Sequence, residues 1–71
     1  MPKEICVIFG EKLRAARVSA GYSQEKLAEL SGLDRTYIGG IERGERNPTL
    51  KNIYRLCLAL DIKTKDLFND I

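Results

Sequence analysis

The sequence predicts an all-α domain of five short helices. Three observations carry this. Apolar residues recur at spacings of three and four along most of the chain. Ser, Asp and Thr stand ahead of the apolar runs and glycine behind them, where helices begin and end. No alternating strand pattern, internal repeat or low-complexity stretch appears. With 71 residues and 8.0 kDa, the chain has room for one core and no large cleft. Its 44% hydrophobic and 31% charged content lies outside the regime of disordered chains, so it is expected to fold. A domain this small is only marginally stable alone, which makes a partner subunit useful.

The first helix places Ile5, Ile8 or Phe9, Leu13 and Ala16 on one face, with Glu11, Lys12, Arg14 and Arg17 between them, and is expected to run to about residue 20 before Gly21. Ser23 caps a second helix over 24–31, in which Leu27, Ala28 and Leu30 share a side and Gly32 closes the end. Asp34 caps a third helix over 35–43. Its carboxylate also suits the positive end of the helix dipole. Ile38 and Ile41 point inward, leaving Arg35, Thr36, Gly39, Gly40 and Arg43 outward.

Gly44 ends that helix, and Glu45, Arg46, Asn47 and Pro48 form a polar loop before Thr49 caps a fourth helix over 50–60. Leu50, Ile53, Leu56, Cys57 and Leu60 make its core stripe. Tyr54 and Leu58 add apolar surface outside it, more than one core needs. Thr64 caps a last short helix carrying Leu67, Phe68 and Ile71.

The net charge of +2 is mild, but it is unevenly spread: residues 35–58 hold Arg35, Arg43, Arg46, Lys51 and Arg55 against Glu42 and Glu45. Histidine is absent, and Cys6 and Cys57 lack the close Cys or His neighbours of a zinc site, so no metal or cofactor is expected. A disulfide between the two can be drawn. Apolar surroundings and the lack of an export signal favour buried free thiols in a cytosolic protein. The five-residue run from Ile5 to Phe9 is too short for a signal peptide or a membrane span. An enzyme is excluded for want of a nucleophile paired with a base, a phosphate-cradling loop or a closed pocket, so no catalytic residue is expected. RNA binding is disfavoured because no sheet carries exposed aromatic residues for base stacking.

Two short helices joined through Ser31, Gly32 and Leu33, the second with a small and polar outward face, make a helix-turn-helix. The glycine permits the turn, and the apolar residue after it packs the pair steeply enough for the second helix to enter a major groove. From Gly10 to Phe68 the chain resembles the Xre or Cro/repressor family of helix-turn-helix DNA-binding domains. The resemblance rests on Leu13, Arg17, Ser23, Gln24, Leu27, Ala28, Gly32, Leu33, Ile38, Ile41, Glu42, Gly44, Pro48 and Leu60 in unbroken spacing. The string from Ser31 to Asn47 is also similar to the controller proteins of restriction-modification systems, which are dimers of about this length.

The resemblance implies a compact lambda-repressor-like fold and a transcriptional regulator of double-stranded DNA. Arg35, Thr36, Tyr37 and Gly40 are the expected base contacts. Taken alone, Arg35 reads first as a solvated surface charge; the resemblance reverses that order in favour of guanine recognition, a contact worth about 1–3 kcal/mol of discrimination. Tyr37 either meets DNA or shields Ile38 and Ile41. Gly39 and Gly40 depart from the family's polar residues, and each costs about 1 kcal/mol of helix propensity relative to alanine. Either the backbone approaches the groove closely, or fewer bases are read.

Ser23, Gln24, Arg43, Arg46 and Asn47 are the expected phosphate contacts, and Arg17 with Glu42 the family's structural ion pair. Tyr54, Leu58, Phe68 and Ile71 form an expected homodimer surface, the alternative being a monomer that folds Leu58 under its C-terminus. Activation would add RNA polymerase as a partner, with Glu25 and Glu29 as candidate contacts or ordinary surface carboxylates. A competing class is an antitoxin-type or protein-interaction module on the same scaffold, which would bind DNA weakly and without specificity.

Overall fold

The computed structural model describes residues 4–71. Within these residues four α-helices follow one another, α1 (Ile5–Ser19), α2 (Gln24–Ser31), α3 (Arg35–Glu42) and α4 (Leu50–Leu60), and then a single 3-10 turn, Thr64–Leu67. No strand occurs among the described residues.

The starts are set by side-chain acceptors. Ser23 Oγ accepts from Lys26 N at 3.0 Å, Asp34 Oδ1 from Thr36 N at 2.9 Å, and Thr49 Oγ1 from Asn52 N at 3.2 Å. Each satisfies an amide that the helix cannot. The end of α3 is closed by Gly44 at φ 78°: its N–H donates to Ile41 O and that of Glu45 to Gly40 O, which folds the following loop back over the helix.

The fifth element corrects the sequence expectation of a fifth α-helix. Four residues are too few to nucleate one, and the capping acceptor is the Asp66 carboxylate, which takes Lys63 N at 3.0 Å, in place of Thr64.

The core is built from Phe9 and Leu13 of α1, Leu27 of α2, Ile38 and Ile41 of α3, Leu56, Cys57 and Leu60 of α4, and Leu67. Three apolar positions depart from the expected stripes. Leu50 is 80% exposed because it is the first residue of α4, beyond the reach of the core, and Ile5 and Leu30 likewise stand at helix ends in solvent. Gly39 and Gly40, expected outward, are buried. A residue without a side chain leaves a notch, and neighbouring side chains lie across it.

Helix α1 packs on α3 through Gly10. A methyl group there would stand 2.3 Å from Ile41 O and 2.7 Å from Glu42 O, so only glycine lets α1 touch the end of α3. Helix α3 also packs on α2, α2 on α4, and the 3-10 turn on α1 and α4.

Candidate nucleic-acid interface

Arg35 and Thr36 lie exposed on the first turn of α3, where the Asp34 cap fixes the backbone beneath them. Tyr37 is half-buried, and its hydroxyl accepts from Asn52 Nδ2 of α4 at 3.1 Å, leaving the phenolic proton available to an acceptor outside the protein. One turn on, side chains from elsewhere lie across the glycines. Arg43 Nη1 and the Gln24 amide lie 3.1–3.8 Å from where a Gly39 Cβ would be, and the Arg46 stem lies 2.8–3.7 Å from the corresponding point on Gly40. Gly40 therefore sits beneath Arg46, not at an open surface.

Arg43, Arg46 and Asn47 are exposed at the far end of α3 and in the loop after it. Arg43 Nε donates to Glu45 Oε2 at 3.0 Å, which holds the guanidinium above its ordinary pKa. At the start of α2, Ser23 is exposed with its hydroxyl oxygen engaged in capping, and Gln24 Nε2 donates to Glu42 Oε1 at 3.0 Å. An amide nitrogen carries two protons, so one remains for a phosphate.

Behind this surface, Arg17 grips Glu42 with a two-bond fork, Nε to Oε2 at 2.6 Å and Nη2 to Oε1 at 3.0 Å, while Nη1 donates to Tyr22 O at 2.8 Å. The side chains are only 11% and 3% exposed. The hydrogen bond to Glu42 outweighs desolvation and raises the Arg17 pKa. One carboxylate thus joins α1, α2 and α3.

The apolar candidates lie on another side. Tyr54 and Leu58 are 56% and 62% exposed and continue the line begun by Leu50 along α4. Phe68 and Ile71 are exposed near the C-terminus, with the Phe68 ring resting on Phe9 at a centroid distance of 5.3 Å. Cys57 is buried and Cys6 half-buried, both as free thiols. Burial and Asp66 push the Cys57 pKa up; desolvation and Glu4 do the same for Cys6. Among the described residues no cluster of His, Cys, Asp or Glu is arranged to hold a metal ion, and no helix is long and apolar enough to cross a membrane.

A helix-turn-helix family profile matches residues 13–67, from Leu13 in the core to Leu67 in the last turn. The chain belongs to the Xre-type helix-turn-helix family. It is 47% identical over 70 residues to the control protein C.BamHI of Bacillus amyloliquefaciens, covering 97% of this chain and 86% of that one. The crystal structure of the restriction-modification controller protein C.AhdI from Aeromonas hydrophila superposes with a TM-score of 0.88 at 56% identity, covering 90% of this chain and 97% of that one. The controller protein C.Esp1396I, solved as a tetramer with its natural 35 base-pair operator, is similar at 34% identity and a TM-score of 0.85 over 94% of this chain and 88% of its own.

Within this family member, three features escaped the sequence: the Gly10 contact, the bond from Gln24 to Glu42, and Asn52 beneath Tyr37. An isolated glycine inside an otherwise periodic helix was a usable signal for the first. The other two join residues 18 and 15 positions apart and leave no local trace.

Proposed function

We propose that the chain is the controller protein of a restriction-modification system, a sequence-specific regulator of transcription that occupies a palindromic operator in double-stranded DNA as a homodimer and catalyses nothing. The observation that carries this is the first turn of α3: the side chains of Arg35 and Thr36 are exposed and have no hydrogen-bond or ion-pair partner among the described residues, on a helix whose other end is fixed to α1 and α2 through Glu42. Bidentate contact with guanine requires an arginine in that state at the N-terminal end of a recognition helix.

In this reading Arg35 and Thr36 read bases, with Tyr37 beside them. Ser23, Gln24, Arg43, Arg46 and Asn47 hold phosphates on either side, and the Arg46 stem lies over Gly40, so that Gly40 meets the groove through that side chain. The α4 stripe with Phe68 and Ile71 joins two copies, setting two α3 helices roughly 34–36 Å apart on one face of the duplex. Glu25 and Glu29, exposed on α2, are the surface offered to RNA polymerase where the protein activates. Such a protein works where its DNA is, in the cytosol.

The test is a titration of the protein against the DNA upstream of its own gene and against random duplex, at several salt concentrations. Arg35→Ala is expected to lose about tenfold or more of the preference for the specific site, whereas Arg46→Ala weakens both duplexes alike and lowers the salt dependence. Equal loss on both duplexes for both variants overturns the assignment of readout. Weak, unselective binding by the wild type favours a protein-interaction module instead.

A further inference from the structure

Two adjacent glycines in a recognition helix reduce its stability, and the offsetting gain lies in what covers them. Outside the backbone of α3 itself, the atoms nearest to where a Gly40 Cβ would stand are Arg46 Cγ at 2.8 Å, Nε at 3.5 Å and Cδ at 3.7 Å. All belong to one side chain, so the Arg46 stem runs lengthwise across the bare Cα. The loop is brought there by the backbone bond from Glu45 N to Gly40 O at 2.9 Å, made beyond the left-handed Gly44. Gly40 lies one turn after Thr36 on the same face of α3, so the side chain that crosses it reaches the face that Thr36 begins. Among the described residues no carboxylate pairs with Arg46, in contrast to Arg43, which is tied to Glu45. Packing holds the stem while the charge stays unspent.

We infer that Gly40 is a positioning residue for DNA binding: its missing side chain makes a seat that orders Arg46 across the recognition helix before DNA arrives. The inference rests on the proposed DNA-binding function and goes beyond it by assigning the glycine a role that acts through another residue. A long side chain already ordered in the free protein loses less rotamer freedom when it binds, and that saving appears as affinity. With a Cβ at Gly40 the stem must swing away from Cγ outward by rotation of the Arg46 side chain, no backbone being in the way, and the gain in helix propensity offsets the cost of that rotation.

The experiment compares wild type, Gly40→Ala, Arg46→Ala and the double variant on the duplex that the wild type selects from a random-sequence pool. Gly40→Ala is expected to melt at the same or a higher temperature yet bind about tenfold more weakly. Arg46→Ala is expected to lose a similar factor, and the double variant no more than Arg46→Ala alone. Unchanged affinity in Gly40→Ala overturns the inference. So does a loss that adds in full to that of Arg46→Ala, since the methyl group would then be meeting DNA directly. A lowered melting temperature in Gly40→Ala also overturns it, by showing that more than a flexible stem is displaced.

Relaxation of the Arg46 Nε signal by NMR, in the absence of DNA, gives a readout independent of binding. It should be ordered in the wild type and as mobile as that of the exposed Arg55 in Gly40→Ala. Equal mobility in the wild type overturns the seat even with DNA binding intact. A wild type that selects no duplex, with Arg46 ordered, instead overturns the proposed function and with it the role assigned to the seat.

Discussion

Along α3, the four consecutive residues from Ile38 to Ile41 are buried, whereas α4 buries Leu56, Cys57 and Leu60 and leaves Leu50, Tyr54 and Leu58 in solvent along one line. Both helices carry an apolar stripe against the same core, so the difference lies in their other faces. On the second turn of α3, Gly39 and Gly40 offer no side chains on that face, which is covered by Gln24, Arg43 and Arg46, polar groups able to face a polyanion. The outer face of α4 keeps large apolar groups that no described residue covers, and lines of this kind mark interaction surfaces. The two helices thus differ in what their outer faces carry, polar side chains laid over α3 and bare apolar ones on α4.

The largest effect should come from the back of α3. Gly10→Ala drives a methyl group into the backbone carbonyls of Ile41 and Glu42, neither of which can rotate away, and is expected to remove about 4 kcal/mol of stability, most of what a domain of this size has. A thermal melt followed by circular dichroism checks this; an unchanged midpoint would mean that α1 and α3 do not meet so closely.

Glu42→Ala comes next. It leaves the nearly buried Arg17 without its anion and releases Gln24, costing about 3 kcal/mol, so any loss of DNA binding in this variant reports unfolding before it reports a missing contact. Denaturant titration measures it, and Glu42→Gln should recover part of the loss by retaining hydrogen bonds.

On α4 the expected change is in assembly. Leu58→Glu places a charge on the exposed line and should weaken self-association at least about tenfold while the melting temperature of the isolated subunit stays nearly constant. Light scattering across a dilution series decides it, and a variant that still dimerises would remove Leu58 from the contact.

The smallest effect concerns pH. The Cys57 thiol has its pKa raised on folding, so the unfolded chain ionises first as the pH passes 9.0, the ordinary thiol value. Its contribution is complete below that point and is lost as the pH climbs toward the folded value. The melting temperature should therefore fall slightly at alkaline pH, by less in Cys57→Ala.

Helix positions were legible because their signals are local. Ser23, Asp34 and Thr49 cap where their spacing to the apolar runs says they should, and the ends of α1 and α3 fall one residue short of the expected 20 and 43. The final element was misjudged because Thr64 resembles a cap while Asp66, two residues later, supplies the acceptor. The site was readable as chemistry and less so as arrangement. Arg35 and Thr36 could be placed on an exposed first turn from the cap alone, but the burial of Gly39 and Gly40 depends on side chains from α2 and from the loop, and no helical periodicity contains them.

The fork between Arg17 and Glu42 has one more consequence. An eight-residue rod held by two inward isoleucines would be free to roll about its own axis, since oily contacts resist separation far better than rotation. Paired bonds along a planar guanidinium resist torque, because a few degrees of roll at the end of α3 would misalign both at once. The angular setting of the leading arginine is therefore governed from the opposite end of its helix, by a nearly buried clamp.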